Sequence, residues 1–188
     1  PTMLYVILVS MYRGDFHKEI LFLYSNLYDL ELRGIAYWFI EILVQLLLIY
    51  TVLFSFNPIR EYAIKKPYKF SITIHFVALS AALFGELIWN SDHLWNRVPH
   101  MKWYYFSLGY CVYNSITANQ KKMTLALAIF SSLLIEQNLG LMLISTSVLL
   151  LYCPSIKIIT PMNKVLYYLA GASLFIYLSH FQFRGVLH

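Results

Sequence analysis

The sequence predicts an all-α fold, a polytopic α-helical membrane bundle. Of the 188 residues, 60% are hydrophobic and 12% are charged, and the mean hydropathy is +0.62, which separates the chain from soluble globular proteins. Aromatic residues lie where apolar runs meet polar ones, as at Trp89 and Trp103, which is typical of membrane interfaces. Helices are predicted because unpaired backbone groups are costly in lipid and no alternating strand pattern occurs.

The apolar runs predict one transmembrane domain over residues 1–188. The candidate spans are 35–56, 70–89, 103–118, 123–135, 139–152 and 165–183, with 3–12 as a further candidate membrane segment. The first two are long enough to cross a hydrocarbon core of about 30 Å. The runs 123–135 and 139–152 are shorter than the roughly 17 residues of a perpendicular span. They are predicted to be short spans or a re-entrant hairpin.

The two ends of the chain suggest a piece of something longer. The chain opens on Pro1 and stops at His188, directly after an apolar run. We therefore expect the remainder of a longer chain or a partner subunit. The run 3–12 lacks a preceding basic region and a small-residue cleavage site, so no secretory signal peptide is predicted.

The loops between the runs predict an orientation. The basic residues expected on one side are Arg60, Lys65, Lys66, Lys69, Lys121, Lys122, Lys157 and Lys164, against Arg97, Lys102 and Arg184 on the other. Lysine and arginine accumulate in cytoplasmic loops. The richer side is therefore predicted to be cytoplasmic, in a multi-pass membrane protein.

Several classes of chemistry have no sequence support. The net charge of +5 lies in short loops, without the basic and aromatic interleaving of a nucleic-acid surface. No phosphate-binding loop, dinucleotide fingerprint, serine-hydrolase elbow or zinc-protease motif occurs. Cys111 and Cys153 are far apart and lack metal-ligand spacing. We predict no nucleic-acid partner, no metal, no bound cofactor and no disulfide.

One polar stripe lies inside the first long run. Trp38, Glu41 and Gln45 are three and seven residues apart, so they share one face of a helix. An isolated carboxylate is expensive in lipid, so Glu41 is expected to face protein or water. Two interpretations stay open, namely a structural hydrogen bond between helices and a role that faces substrate.

Histidines are the other candidates for chemistry. His100 follows Pro99 at the approach to a helix, and His180 lies near a helix end. Each is either a base near neutral pH or an interfacial bystander. His75 and Glu86 lie about 16 Å apart along one run, so each needs a partner from another helix. Packing is the favoured role for His75.

Four segments in order resemble a known family. They are YWFIEILVQ at 37–45, RVPH at 97–100, FSLG at 106–109 after Trp103, and ASLFIYLSHF at 172–181. Over roughly residues 35–183 the chain resembles the later, C-terminal membrane helices of the acyltransferase-3 family. These are bacterial multi-span acyltransferases, some of which are fused to adenylating modules. The family's early helix with an arginine and a histidine has no match before residue 35, where His17 sits in a polar stretch.

The resemblance implies transfer of an acyl group from a thioester to a hydroxyl or amine. Acyl-CoA or an acyl carrier protein is the implied donor, and a small molecule, sugar or peptide is the implied acceptor, at the bacterial inner membrane with membrane lipid around the chain. The implied site comprises His100, His180 and Glu41 as catalytic residues and Trp38, Gln45 and Arg97 as substrate-binding residues. The essential base is expected on the missing early helix.

Two rival functions remain open. A non-catalytic membrane subunit or scaffold is favoured by the short spans, the suspected truncation and the incomplete catalytic set. A transporter is favoured by the intramembrane residues His75 and Glu86 and by the short runs within 123–152. The absence of an inverted repeat argues against the transporter.

Overall fold

The structure is a computed structural model that describes residues 11, 38–88, 98–135, 140–153, 162, 164 and 166–168. The chain divides into two compact units, Ile42–Ser155 and Pro1–Glu41 with Ile156–His188. The first, called the larger unit here, holds nearly all the described residues. The second is described at Met11, at residues 38–41 and at a few positions between 162 and 168.

Six helices make up the described structure. They are α1 (Trp38–Ser55), α2 (Asn57–Lys65), α3 (Pro67–Ile88), α4 (Pro99–Asn114), α5 (Ala118–Ile135) and α6 (Gly140–Tyr152). No strand occurs within the described ranges. The predicted all-α fold is confirmed for this part of the chain.

Prolines begin three of the helices. Pro58 lies in the first turn of α2, Pro67 opens α3 and Pro99 opens α4. A proline ring fixes φ near the helical value, and its missing N–H has no partner to lose in a first turn. Phe56 is extended between α1 and α2, and the two helices are bent by 96°. α2 therefore runs across the end of α1.

A reciprocal cap begins α5. The Gln120 amide N–H donates to Thr117 Oγ1 at 3.3 Å, and Gln120 Oε1 accepts from the Thr117 amide at 2.9 Å and the Ile116 amide at 3.0 Å. This is a capping box, which satisfies amides that a helix start leaves open. It starts α5 at Ala118, five residues before the predicted run 123–135.

α3 and α4 form a closely packed antiparallel pair. Ala78, Leu79 and Ala82 of α3 form a buried cluster with Tyr104 of α4. A Cβ atom on Gly85 would lie 2.7 Å from Cδ2 of His100. Small residues therefore let the end of α3 approach the start of α4.

Side-chain bonds place three helix ends together. Tyr68 Oη, at the start of α3, donates to the Gln120 carbonyl at the start of α5 at 2.8 Å. Lys121 Nζ lies 5.7 Å from the ring centroid of Tyr152, at the end of α6. Lys65, Lys66, Lys121 and Lys122 consequently share one end of the larger unit, as the loop pattern predicted. His100 lies at the other end.

The helix bounds differ from the predicted runs in instructive places. The runs 35–56, 70–89 and 139–152 correspond to α1, α3 and α6. The run 103–118 differs from the helix bounds at both ends, because α4 begins at Pro99 and a turn at Ser115 separates it from α5. The runs 3–12 and 165–183 lie almost wholly outside the described residues.

One helix within the described ranges is long and apolar enough to cross a membrane, namely Pro67–Gly85. The bent pair Phe39–Ser55 and Asn57–Lys65 makes a second if it counts as one span, and Gly140–Tyr152 is a shorter apolar helix. The number of membrane crossings therefore stays a prediction.

Candidate functional site

Polar side chains line the interior between α3, α4 and α5. We call this set the polar column; its members are Tyr68, Ser71, His75, Ser107, Cys111, Ser115, Thr124 and Ser131. Within each helix their spacing is three, four or seven residues, which holds them on one face. The column was not predicted from the sequence, although serine, threonine and cysteine recur there at helical spacing.

His75 is the centre of the polar column and is fully buried. Its Nδ1 lies 3.0 Å from Ser107 Oγ on α4, and its Nε2 lies 2.9 Å from Ser131 Oγ on α5. One imidazole therefore joins three helices. The prediction that His75 takes partners from other helices is confirmed, and its packing role stays a prediction.

The protons around His75 can be counted. Ser107 Oγ donates to the Tyr104 carbonyl at 3.0 Å, and Ser131 Oγ donates to the Leu127 carbonyl at 2.8 Å. If both serine hydroxyls donate to these carbonyls, the ring of His75 must donate to both serine oxygens. That arrangement needs two ring protons, whereas a neutral imidazole has one. A neutral ring donates to one serine and accepts from the other. That second serine turns its hydroxyl proton away from the backbone carbonyl and toward the ring. Two tautomers thus differ only in which serine donates.

The rest of the column lies near the lysine-bearing end. Thr124 Oγ1 lies 3.2 Å from Tyr68 Oη and 2.7 Å from Ser115 Oγ. Ser115 Oγ also bonds the Cys111 carbonyl at 2.7 Å, and Ser71 Oγ donates to the Tyr68 carbonyl at 2.8 Å. These bonds join α3, α4 and α5 without a charged group. They are the kind of link that holds helices together where water is absent.

His100 occupies the opposite end. Val98 is buried as the N-cap of α4, Pro99 follows it, and His100 lies half-buried in the first turn. Its ring packs against Gly85. Gly85 is about 15 Å along α3 from His75, so the two histidines belong to separate sites.

Glu41 and Gln45 lie in the first half of α1. Glu41 is 1% exposed, Gln45 is half-buried, and both take part in polar interactions. The carboxylate of Glu41 therefore lies in the interior of the protein and not on its outer surface. Trp38 begins α1, but its side chain lies outside the described part.

The described residues do not test the full predicted site. Arg97 and His180 lie outside the described residues. Glu41 and His100 belong to different units. The catalytic and substrate-binding roles of Glu41, Trp38, Gln45, Arg97, His100 and His180 therefore stay predictions. In the described ranges, no group of three His, Cys, Asp or Glu residues is placed to hold a metal ion.

No protein-family model, no curated protein and no solved structure matches the chain.

Proposed function

We propose that the chain is part of a polytopic membrane acyltransferase, with acyl transfer from a thioester to a hydroxyl or amine. The observation that carries the proposal is the RVPH segment. Its His100 is a half-buried imidazole held in the first turn of α4, at the end opposite the lysine-bearing loops. The first turn of the helix fixes the position of this imidazole, and an imidazole exchanges protons near neutral pH.

The proposed membrane placement rests on three features. α3 and α4 alternate in direction, α5 begins at the end where α4 finishes, and α6 ends beside the start of α5. Large apolar side chains such as Leu48 and Val52 lie exposed on the outside of α1. Basic residues gather at one end, which is typical of a cytoplasmic surface.

The proposed reaction moves one acyl group and one proton. The acceptor oxygen or nitrogen attacks the thioester carbonyl, its proton passes to a base, and the carbon–sulfur bond breaks to release a thiol that takes up a proton. His100 and His180 orient the acceptor, and Glu41 lines the same side. Trp38, Gln45 and Arg97 position the substrate and neighbouring helices. The essential base lies in the part of the polypeptide that precedes residue 35.

The test uses membranes from cells that express a longer chain containing residues 1–188. Release of thiol from acyl-CoA of several chain lengths and labelling of membrane products are measured for His100→Ala and His180→Ala. General-base or orienting roles are worth about 10²- to 10⁴-fold in rate. Tyr113→Ala, at an exposed position near the other end of α4, is the control and should retain full transfer.

Four outcomes separate the rivals. Loss of transfer with normal folded yield supports the proposal. Loss of yield in step with transfer assigns both histidines to structure. Unchanged transfer in both variants removes them from the site, and absence of transfer from the wild type favours a scaffold.

A transporter is the second candidate, and His75 is the observation that favours it. A buried imidazole that links three helices in two tautomers resembles the intramembrane polar groups that relay protons. Proton uptake into vesicles by the wild type, with loss in His75→Gln, would favour transport over acyl transfer.

A further inference from the structure

One end of the larger unit carries most of its positive charge. We call this surface the basic end; its cations are Arg60, Lys65, Lys66, Lys69, Lys121 and Lys122. They come together because Tyr68 binds the Gln120 carbonyl at 2.8 Å and Thr124 at 3.2 Å. Lys66 and Lys69 flank Tyr68, and Lys121 follows Gln120.

Little on the described part of the chain neutralises these cations. Glu61 pairs with Lys65 at 2.9 Å, and both side chains are exposed. Arg60 donates to the neutral amide oxygen of Asn57 at 2.8 Å. Glu61 is the one carboxylate that the described ranges place at this end, against six cations. The basic end therefore complements a surface with several negative charges.

α2 presents its cations outward. Its inner side chains, Ile59 and Ala63, pack with Phe70 and Ile74 of α3. Arg60 and Lys65 are exposed on other faces of the helix. The 96° bend after α1 keeps α2 crosswise, so its charges spread over the end of the unit.

Exposed apolar side chains lie among the cations. Phe56 is 57% exposed and Ile64 is 72% exposed, and Val52 continues the apolar surface along α1. Tyr152, half of which is exposed, lies beneath Lys121. A dissolved polyanion has no acyl chains to cover aliphatic side chains such as Ile64 and Val52, whereas the boundary between headgroups and acyl chains offers both partners.

We infer that the basic end binds the headgroups of anionic phospholipids. Phosphodiester oxygens accept hydrogen bonds from Arg60, Lys66 and Lys69, and the acyl chains cover Phe56 and the exposed side of α1. The inference rests on the proposed membrane placement but not on acyl transfer. It commits to a lipid rather than to a nucleic acid or an acidic protein, because charge and apolar surface occur together.

The experiment measures lipid binding to the purified chain in a neutral detergent. Phosphatidylglycerol and phosphatidylcholine with identical acyl chains are titrated, and bound lipid is counted by native mass spectrometry. We expect preferential binding of phosphatidylglycerol that weakens with salt. Each of Arg60→Gln and Lys66→Gln should weaken it about fivefold, the factor that corresponds to one basic residue near an anionic surface.

Lys102→Gln is the matched control, since it removes the same charge from the first turn of α4, at the other end. Its affinity for phosphatidylglycerol should change by less than about twofold. The melting temperature of each variant in detergent shows whether the three substitutions leave the fold intact.

Several results would overturn the inference. Equal binding of the two lipids, or an equal loss in Lys102→Gln, removes the basic end as a lipid site. Full competition by inorganic phosphate, or tighter binding of an oligonucleotide than of phosphatidylglycerol, assigns the end to a soluble anion. Recovery of the chain outside the membrane fraction would sink the membrane placement itself, a failure that cell fractionation detects separately.

Discussion

The two halves of the contact between α3 and α4 are built differently. Toward the basic end, His75 and its serine partners join the helices through hydrogen bonds. Toward the other end, Ala78, Ala82 and Gly85 allow close approach to Tyr104 and His100 without polar links on these small side chains. Where lipid surrounds a helix pair, apolar burial gives little net drive, so packing and hydrogen bonds must do the joining. In this contact, hydrogen bonds join the half toward the basic end, and close packing of small residues joins the other half.

Removal of the His75 imidazole should have the largest effect on the free energy of unfolding. His75→Ala deletes a fully buried side chain and leaves a cavity between three helices, with an expected loss of about 3 kcal/mol. Thermal unfolding in detergent measures it. Phe76→Ala, at a half-exposed neighbouring position, is the control and should lose about 1 kcal/mol or less.

His75→Leu sharpens the same test. Ser107 and Ser131 keep their own carbonyl partners, so an apolar side chain of similar size should lose only about 1 kcal/mol. If leucine is as stable as histidine, the filled volume rather than the hydrogen bonds holds this half, and the comparison fails.

A methyl group added at the close approach should have an intermediate effect. In Gly85→Ala the new Cβ would lie 2.7 Å from His100 Cδ2, so the ring must shift, and we expect a loss of about 1–2 kcal/mol. Gly109→Ala is the matched control, because no atom lies within 4 Å of its added Cβ. It should gain about 0.5–1 kcal/mol through helix propensity. If both variants change the free energy of unfolding in the same direction, the close steric fit at Gly85 is contradicted.

Removal of the Thr117 cap of α5 should have the smallest effect on the free energy of unfolding. Thr117→Ala removes the acceptor of the Gln120 amide, with an expected loss of about 1 kcal/mol. Thr73→Ala deletes an exposed hydroxyl that bonds only its own helix, at the Lys69 carbonyl, and should be close to neutral. A null result at Thr117 would mean that the Gln120 side chain and the contacts of Tyr68 suffice to fix the start of α5.

The sequence predicted what depends on composition and spacing. Continuous apolar runs sufficed for the all-α fold and for α1, α3 and α6, and the cost of a lone carboxylate in lipid predicted an interior Glu41. The start of α5 was predicted too late, because Lys121 and Lys122 were assigned to a loop. The capping box of Thr117 and Gln120 was present in the sequence and was overlooked.

The pairing of polar residues was harder to predict. His75 was expected to need partners, yet Ser107 and Ser131 are separated from it by 32 and 56 positions. Serines elsewhere in the apolar runs, such as Ser80 and Ser145, have the same local pattern. Only the packing of three helices distinguishes which serines meet the imidazole.

The crosswise course of α2 has a mechanical consequence in the proposed bilayer. The exposed charges of α2 cannot enter the hydrocarbon core. α2 therefore stays at the membrane surface and fixes the depth of the basic end. α1 has 18 residues and spans about 27 Å, slightly less than a typical core of about 30 Å. A thicker bilayer must then be accommodated by local thinning at the far end, and the depth of His100 should follow membrane thickness while that of Lys66 stays constant.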